Sequence, residues 1–372
     1  MRRIRCMLLL LCLAAPAIAH AAPVEVCNLP PRFGVDATAA AIVRTACQEH
    51  RQWLRSFIEA DGRLAALGVT EAERAHLFDD TTPAWQQVAR YWRESGTLSS
   101  MAASGTPGAA SCQYPGGSRE VDNDCRAFIV DNPWSAAFIS WVMVRAPLYG
   151  FGASPRHLDY IARAWHHPDS SPYLYTDPLS GKAAPGDMLC FLRAGDHGLG
   201  AEGLRAALSG QGRMPTRSHC EIVVGANVGG DRTLYLIGGN VLNSVVMRKL
   251  PLDAAGRLVP AALGMATSGA QGMSAPAATG PAEPAGQVPA NPGAPSTTIA
   301  APAATADASN GEDSATPLDT AACTPGNPVA CSFNRRDWAV LLKLKPRAQG
   351  IAPASTVMPA PAEVPAATTP PQ

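Results

Sequence analysis

Long apolar runs, one-sided charge and close cysteine pairs are all missing from this chain, and each absence removes a class of function. Basic and acidic residues balance at 30 each, and no basic run follows Arg2, Arg3 and Arg5. Nothing therefore offers an electrostatic grip on nucleic acid or on a membrane surface. The apolar run over residues 7–15 is too short to cross a bilayer and meets Pro16 at once, so the chain does not read as an integral membrane protein. There is no C-x-x-C pair and the histidines are scattered, which disfavours zinc; neither metal nor cofactor is expected.

What the N-terminus does have is a leader pattern: three arginines, the apolar run, then small residues around Ala17, Ala19 and Ala21. That is a secretory signal over residues 1–21, with cleavage after Ala21 or Ala19. A lipoprotein signal at Cys12 fits poorly, because Leu11 stands where a small residue is wanted. The expected location is periplasmic or secreted, in an oxidising compartment. Removing Cys6 and Cys12 with the leader leaves an even number of cysteines. Their spacing suggests local bridges Cys27–Cys47, Cys112–Cys125 and Cys323–Cys331, with Cys190–Cys220 joining neighbouring strands, although spacing alone leaves connectivity open.

Periodicity divides the rest. Residues 27–96 read as a helical N-terminal part, with apolar spacing over 35–57, 64–77 and 85–92. Residues 97–261 form the core. It begins with a Gly/Ser/Ala-rich stapled loop up to residue 124, followed by a buried helix, a second helix from Ser154-Pro155 and a loop over 169–185. Short strands follow at 188–192, 221–224, 233–237 and 241–247. Helices followed by antiparallel strands define an α+β fold class. Residues 262–322 hold almost nothing but Ala, Pro, Gly, Ser and Thr and cannot bury enough surface to fold, so they read as a disordered insertion. Residues 323–345 return as the final hairpin and strand of the core, and 346–372 form a Pro-rich tail.

The segment around Ser135 is the most telling. Asn132 suits a helix cap and Pro133 a first helical position, and from Pro133 to Val144 only Ser135 and Ser140 are polar. The helix is apolar all round, hence buried, with one hydroxyl near the positive end of its dipole. Such a serine either bonds a neighbouring carbonyl or cap, or serves as a nucleophile. Further on stand His219, opening the strand Ser218-His219-Cys220-Glu221-Ile222-Val223-Val224, and Asn240 after Ile237-Gly238-Gly239. Taken singly, His219 could be a satisfied strand residue and Asn240 an ordinary turn residue that tolerates left-handed backbone. His157, His166, His167 and His197 lack ligand spacing and read as surface residues.

Together, Pro133-Trp134-Ser135-Ala136-Ala137-Phe138, Pro185-Gly186-Asp187-Met188, the His219 strand and Asn240 resemble the papain-like bacterial cell-wall hydrolases, in particular the cysteine, histidine-dependent amidohydrolase/peptidase (CHAP) group. The block from Pro133 to Met247 also resembles the family called domain of unknown function 2272, where Trp-Ser opens the helix. The resemblance implies a papain-like core with a central buried helix on a small antiparallel sheet. It puts Ser135 in the nucleophile's place, His219 in the base's and Asn240 in that of the group orienting the imidazole. The implied function is a cell-envelope amidase or peptidase acting on peptidoglycan peptides. Serine for cysteine is the departure: its proton leaves during the reaction, and the imidazolium formed is best stabilised by a carboxylate, which Asn240 lacks and Glu221, on the His219 strand face, could supply. Strand alternation argues that if His219 faces the central helix, Cys220 faces away. The competing expectation is a catalytically inactive binding or scaffolding protein of the envelope that keeps the groove.

Overall fold

The computed structural model describes residues 25–30, 34–71, 76–193, 195–196, 198–259, 332–334 and 336–346. The expected leader, the 262–322 insertion, the Cys323–Cys331 pair, His197 and the tail beyond residue 346 lie outside the described residues. Those described form a mixed α+β structure. In chain order they are α1 (Ala37–Gln52), β1 (Ser56–Ile58), β2 (Leu64–Ala66), α2 (Ala84–Glu94), α3 (Thr97–Ala103), α4 (Arg119–Asp131), α5 (Ser135–Arg145), α6 (His157–His166), β3 (Tyr173–Thr176), β4 (Met188–Leu192), α7 (Gly200–Leu208), β5 (Ser218–Ala226), β6 (Thr233–Val241), β7 (Ser244–Pro251) and β8 (Asp337–Leu344).

The strands make one open sheet in the order β2-β1-β7-β6-β5-β4-β8-β3, antiparallel except where β1 joins β7. Residues 337–344 thus sit between β4 and β3, in the same sheet as residues 218–251. Alternation splits the strands between two cores. Cys190, Cys220, Ile222, Val224, Ile237 and Met247 pack with α1, α2 and α5; Leu189, Phe191, Val223, Leu236 and Trp338 pack on the opposite face. Gly239 brings β6 hard against α5: a Cβ there would stand 2.4 Å from the Phe138 ring. Three disulfides form as expected, Cys27–Cys47, Cys112–Cys125 and Cys190–Cys220, the last between register partners on β4 and β5. Among the described residues no single helix is long and apolar enough to cross a membrane.

Several local expectations are corrected. Residues 64–77 hold no helix among those described; Leu54 and Arg55 take left-handed backbone (φ 59° and 57°), which turns the chain out of α1 into the β1–β2 hairpin. Residues 97–124 are not simply a stapled loop, since α3 and the first part of α4 lie there; α4 buries Cys125, Phe128 and Ile129, a helical spacing. The 169–185 loop contains β3, and α7 was not foreseen. Asn132 ends α4 instead of starting α5: it precedes Pro133, which biases it to extended backbone (φ −124°, ψ 115°), and its amide donates to Phe128 O. The central helix therefore opens at Ser135, with Trp134 at the cap.

Candidate functional site

Ser135 is the first residue of α5, and Trp134 places no side-chain bond on the first-turn N–H groups. Those donors point toward the hydroxyl's end of the helix. Trp134 is itself clamped, its ring 5.5 Å from that of Trp53 and 5.7 Å from that of Tyr91. Behind that clamp, Tyr91 donates to the buried Glu49 carboxylate (2.5 Å) and accepts from Trp53 Nε1 (2.8 Å). The start of α5 is thus fixed by packing and by a buried polar network.

The Ser135 hydroxyl meets Nε2 of His157 at 2.8 Å. His157 is no surface residue: it opens α6 and is 3 % exposed. Its neighbours explain this, because His157, Tyr160, Ile161 and Ala164 share the buried face of α6 at helical spacing. Ser154 just upstream donates to Asp159 (2.5 Å), fixing the helix start. That spacing was the available signal, and a scan for metal-ligand intervals passes over it. His166 and His167 are exposed.

His219, second residue of β5, is fully buried and makes no hydrogen bond to Ser135; both its ring nitrogens lack partners among the described residues, as does Nδ1 of His157. It sits one ring further back, 5.2 Å centroid to centroid from His157 and 5.1 Å from Phe191. The alternation argument holds with its sense reversed. Cys220 faces the core that contains α5, which puts His219 and Glu221 on the other face. His157 makes its contact at the strand's end, bridging α5 and β5. Asn240 lies at the irregular end of β6, buried, with left-handed backbone (φ 55°).

Glu221 Oε1 stands 3.6 Å from His219 Nε2, a charge contact longer than a hydrogen bond. Arg248 grips the same carboxylate through Nε (3.0 Å to each oxygen) and Nη2 (2.9 Å). Its Nη1 donates to Phe333 O and to Asn334 Oδ1 (3.2 Å). Asn334 in turn donates to the carbonyls of Glu59 (2.8 Å) and Lys249 (2.9 Å). Arg248 was also missed: it stands on β7 and reaches Glu221 on β5 across the intervening β6, so nothing in its own segment announces the pairing. Burial would raise the Glu221 carboxyl, but the Arg248 charge, with His219 assisting, brings it down to about 2. Burial pushes the His157 imidazole well below its ordinary value, with the charges of His219 and Arg193 adding to the effect. A neutral His157 with a bare Nε2 can accept the Ser135 proton, and the ionised Glu221 lies one imidazole behind.

The Gly186-Asp187 pair is a structural anchor. Gly186 turns at φ 91°, and Asp187 accepts from the N–H groups of Ala184 (2.7 Å) and Leu344 (2.8 Å) and from Lys343 Nζ (2.5 Å), tying β4 to β8.

An α+β domain with a serine–imidazole pair at the tip of its buried helix is the class these features define. Over residues 79–344 the chain matches, and belongs to, the family described as "Uncharacterized protein conserved in bacteria (DUF2272)". Comparison with the curated proteins and with the solved structures returns no match.

Proposed function

We propose that the chain is a serine-dependent hydrolase of the bacterial cell envelope, periplasmic or secreted, with a papain-like, CHAP-like core that cleaves amide bonds of peptidoglycan peptides. The observation that carries this reading is the 2.8 Å bond between Ser135 Oγ and His157 Nε2 at the first turn of an apolar helix. Ser135 Oγ attacks the amide carbonyl carbon while its proton passes to His157; the C–N bond breaks as that proton moves to the leaving nitrogen, and water then hydrolyses the ester. Free N–H groups at the start of α5 hold the oxyanion. His219 and Glu221 stand behind the base as its electrostatic support, the role expected for a carboxylate in a serine mechanism. Asn240 remains in the proposal at the position matching the orienting residue. The three disulfides suit an oxidising compartment.

A second reading, an inactive envelope binding or scaffolding protein, draws on one observation: Ser135 is only 4 % exposed and His219 is 0 %. The two separate in one experiment. Purified wild type, Ser135→Ala and Ser135→Cys are incubated with peptidoglycan, and released fragments are separated by mass. The hydrolase reading expects release by wild type and none by Ser135→Ala. Release by the cysteine variant alone identifies a silenced peptidase, and no release by any of the three removes the hydrolase reading.

A further inference from the structure

At the C-terminal end of α5 the surface turns apolar. Met143, Val144, Pro147, Leu148, Tyr149 and Phe151 line a groove of about 250 Å³. Residues 135–143 of the helix are buried, but Val144 is 49 % exposed. Proline-rich segments bind grooves of this kind, because their preset extended turns lose little freedom when laid against aromatic and aliphatic walls.

The last described residues arrive beside it. β8 ends at Leu344, the register partner of Tyr173 on the edge strand β3, and the next N–H, that of Lys345, donates to Pro172 O (2.9 Å). Pro172 adjoins the groove: a Cβ on Gly150, between Tyr149 and Phe151, would stand 3.9 Å from Pro172 Cδ and 3.2 Å from Ser170 O. The Phe151 and Tyr173 rings lie 6.2 Å apart. Pro346 is exposed, so the chain leaves the sheet at the groove's edge. Residues 260–331 depart and return elsewhere. Val259 follows the Leu252–Leu258 bridge beyond β7, and the Phe333 N–H donates to Gly62 O at the β1–β2 turn. Five strand steps separate β7 from β3, about 24 Å at ordinary spacing.

The composition of residues 347–372 suits the groove: six prolines, no aromatic residue, and Ile351, Val357, Met358 and Val364 as the large apolar side chains. Ile351 comes first, five residues past Pro346, a reach of about 16 Å in extended polyproline form. Pro353 follows it. A short tether raises the effective concentration to about millimolar, so a contact too weak between separate molecules holds within one chain. We propose that this groove is the docking site for the chain's own C-terminal tail, with Ile351 and Pro353 as the residues that enter it. The docked tail covers the end of α5 away from Ser135, about 14 Å along the helix, so the proposal stands independently of the hydrolase reading.

The test uses the full chain with a photoreactive benzoylphenylalanine placed at position 144, whose side chain is half outside the core, or in a second preparation at position 351. After irradiation the products are sized, digested and mapped by mass spectrometry. The probe at 144 is expected to join residues 347–358, and the probe at 351 to join residues 143–151, both at the mass of a single chain. Ile351→Asp in the first preparation and Val144→Lys in the second should each lower the yield at least about tenfold. Either probe reaching its expected target, with the yield lost in the matching variant, supports the proposal even if the other probe is too bulky to dock. Overturning results are a crosslink at doubled mass, which assigns the groove to a second copy, or capture of residues 260–331 in place of the tail. Failure of both probes, or yields unchanged by both substitutions, overturns it equally.

Discussion

Ser135 Oγ and His157 Nε2 lie 2.8 Å apart although 22 positions separate them in the chain, and both are buried. The pair joins the first turn of α5 to the first turn of α6, so the hydroxyl's partner comes from the neighbouring helix and not from the sheet. If His157 takes the proton, His157→Gln keeps a hydrogen-bonding side chain of similar size but loses the base. Fragment release from peptidoglycan should then fall about 10²- to 10⁴-fold. His219→Gln, acting through His157, should cost less. The reverse order would return the base's role to His219.

Acid should weaken the fold through its buried imidazoles. His157 and His50 are both held below their ordinary value of 6.5, chiefly by burial, so the folded chain keeps them neutral while the unfolded chain takes up protons. Their contribution is fully present above about pH 6.5 and is lost as pH falls below it, by up to about 1.4 kcal/mol per pH unit for each group. Urea unfolding between pH 7.5 and 5 measures this slope, and His157→Gln should flatten it.

The Glu221–Arg248 pair works at a lower pH. With the carboxyl depressed from 4.5 to about 2, its stabilisation is present above pH 4.5 and disappears as pH falls toward 2. Arg248→Met leaves a buried carboxylate without its partner and should cost about 3–5 kcal/mol; the double variant with Glu221→Gln should recover much of that. A double-mutant cycle in urea gives the coupling, and additive effects would contradict it.

Gly239→Ala tests how tightly β6 is pressed on α5. The added methyl would stand 2.4 Å from Phe138 Cγ, too close without movement of the helix that carries Ser135. A loss of about 1–3 kcal/mol is expected. Thermal unfolding reads it, and a neutral effect would mean that the contact relaxes freely.

Much of the frame was legible because it is local. The apolar helix around Ser135, the strands at 188–192 and 233–237 and the three disulfides follow from periodicity and cysteine spacing. The start of α5 was misplaced by two residues because Asn132 fits a cap in isolation, whereas the constraint from Pro133 makes it the end of α4. The β1–β2 hairpin escaped because β1 owes its place to pairing with the distant β7, and β2 in turn to pairing with β1. At the candidate site, Ser135 and the His219–Glu221 neighbourhood were visible along the chain. His157 was not, since its role comes from the way α6 docks, and only its place on the apolar face of that helix announced it.

The account depends most on Ser135 being a nucleophile activated by His157, and covalent labelling tests this directly. The intact chain is treated with a fluorophosphonate, digested and mapped by mass spectrometry, alongside His157→Gln. The prediction is a single phosphonyl adduct on Ser135 that forms at least about 10²-fold more slowly in His157→Gln. An unlabelled Ser135 in the wild-type chain, or labelling at the same rate in both, would contradict it.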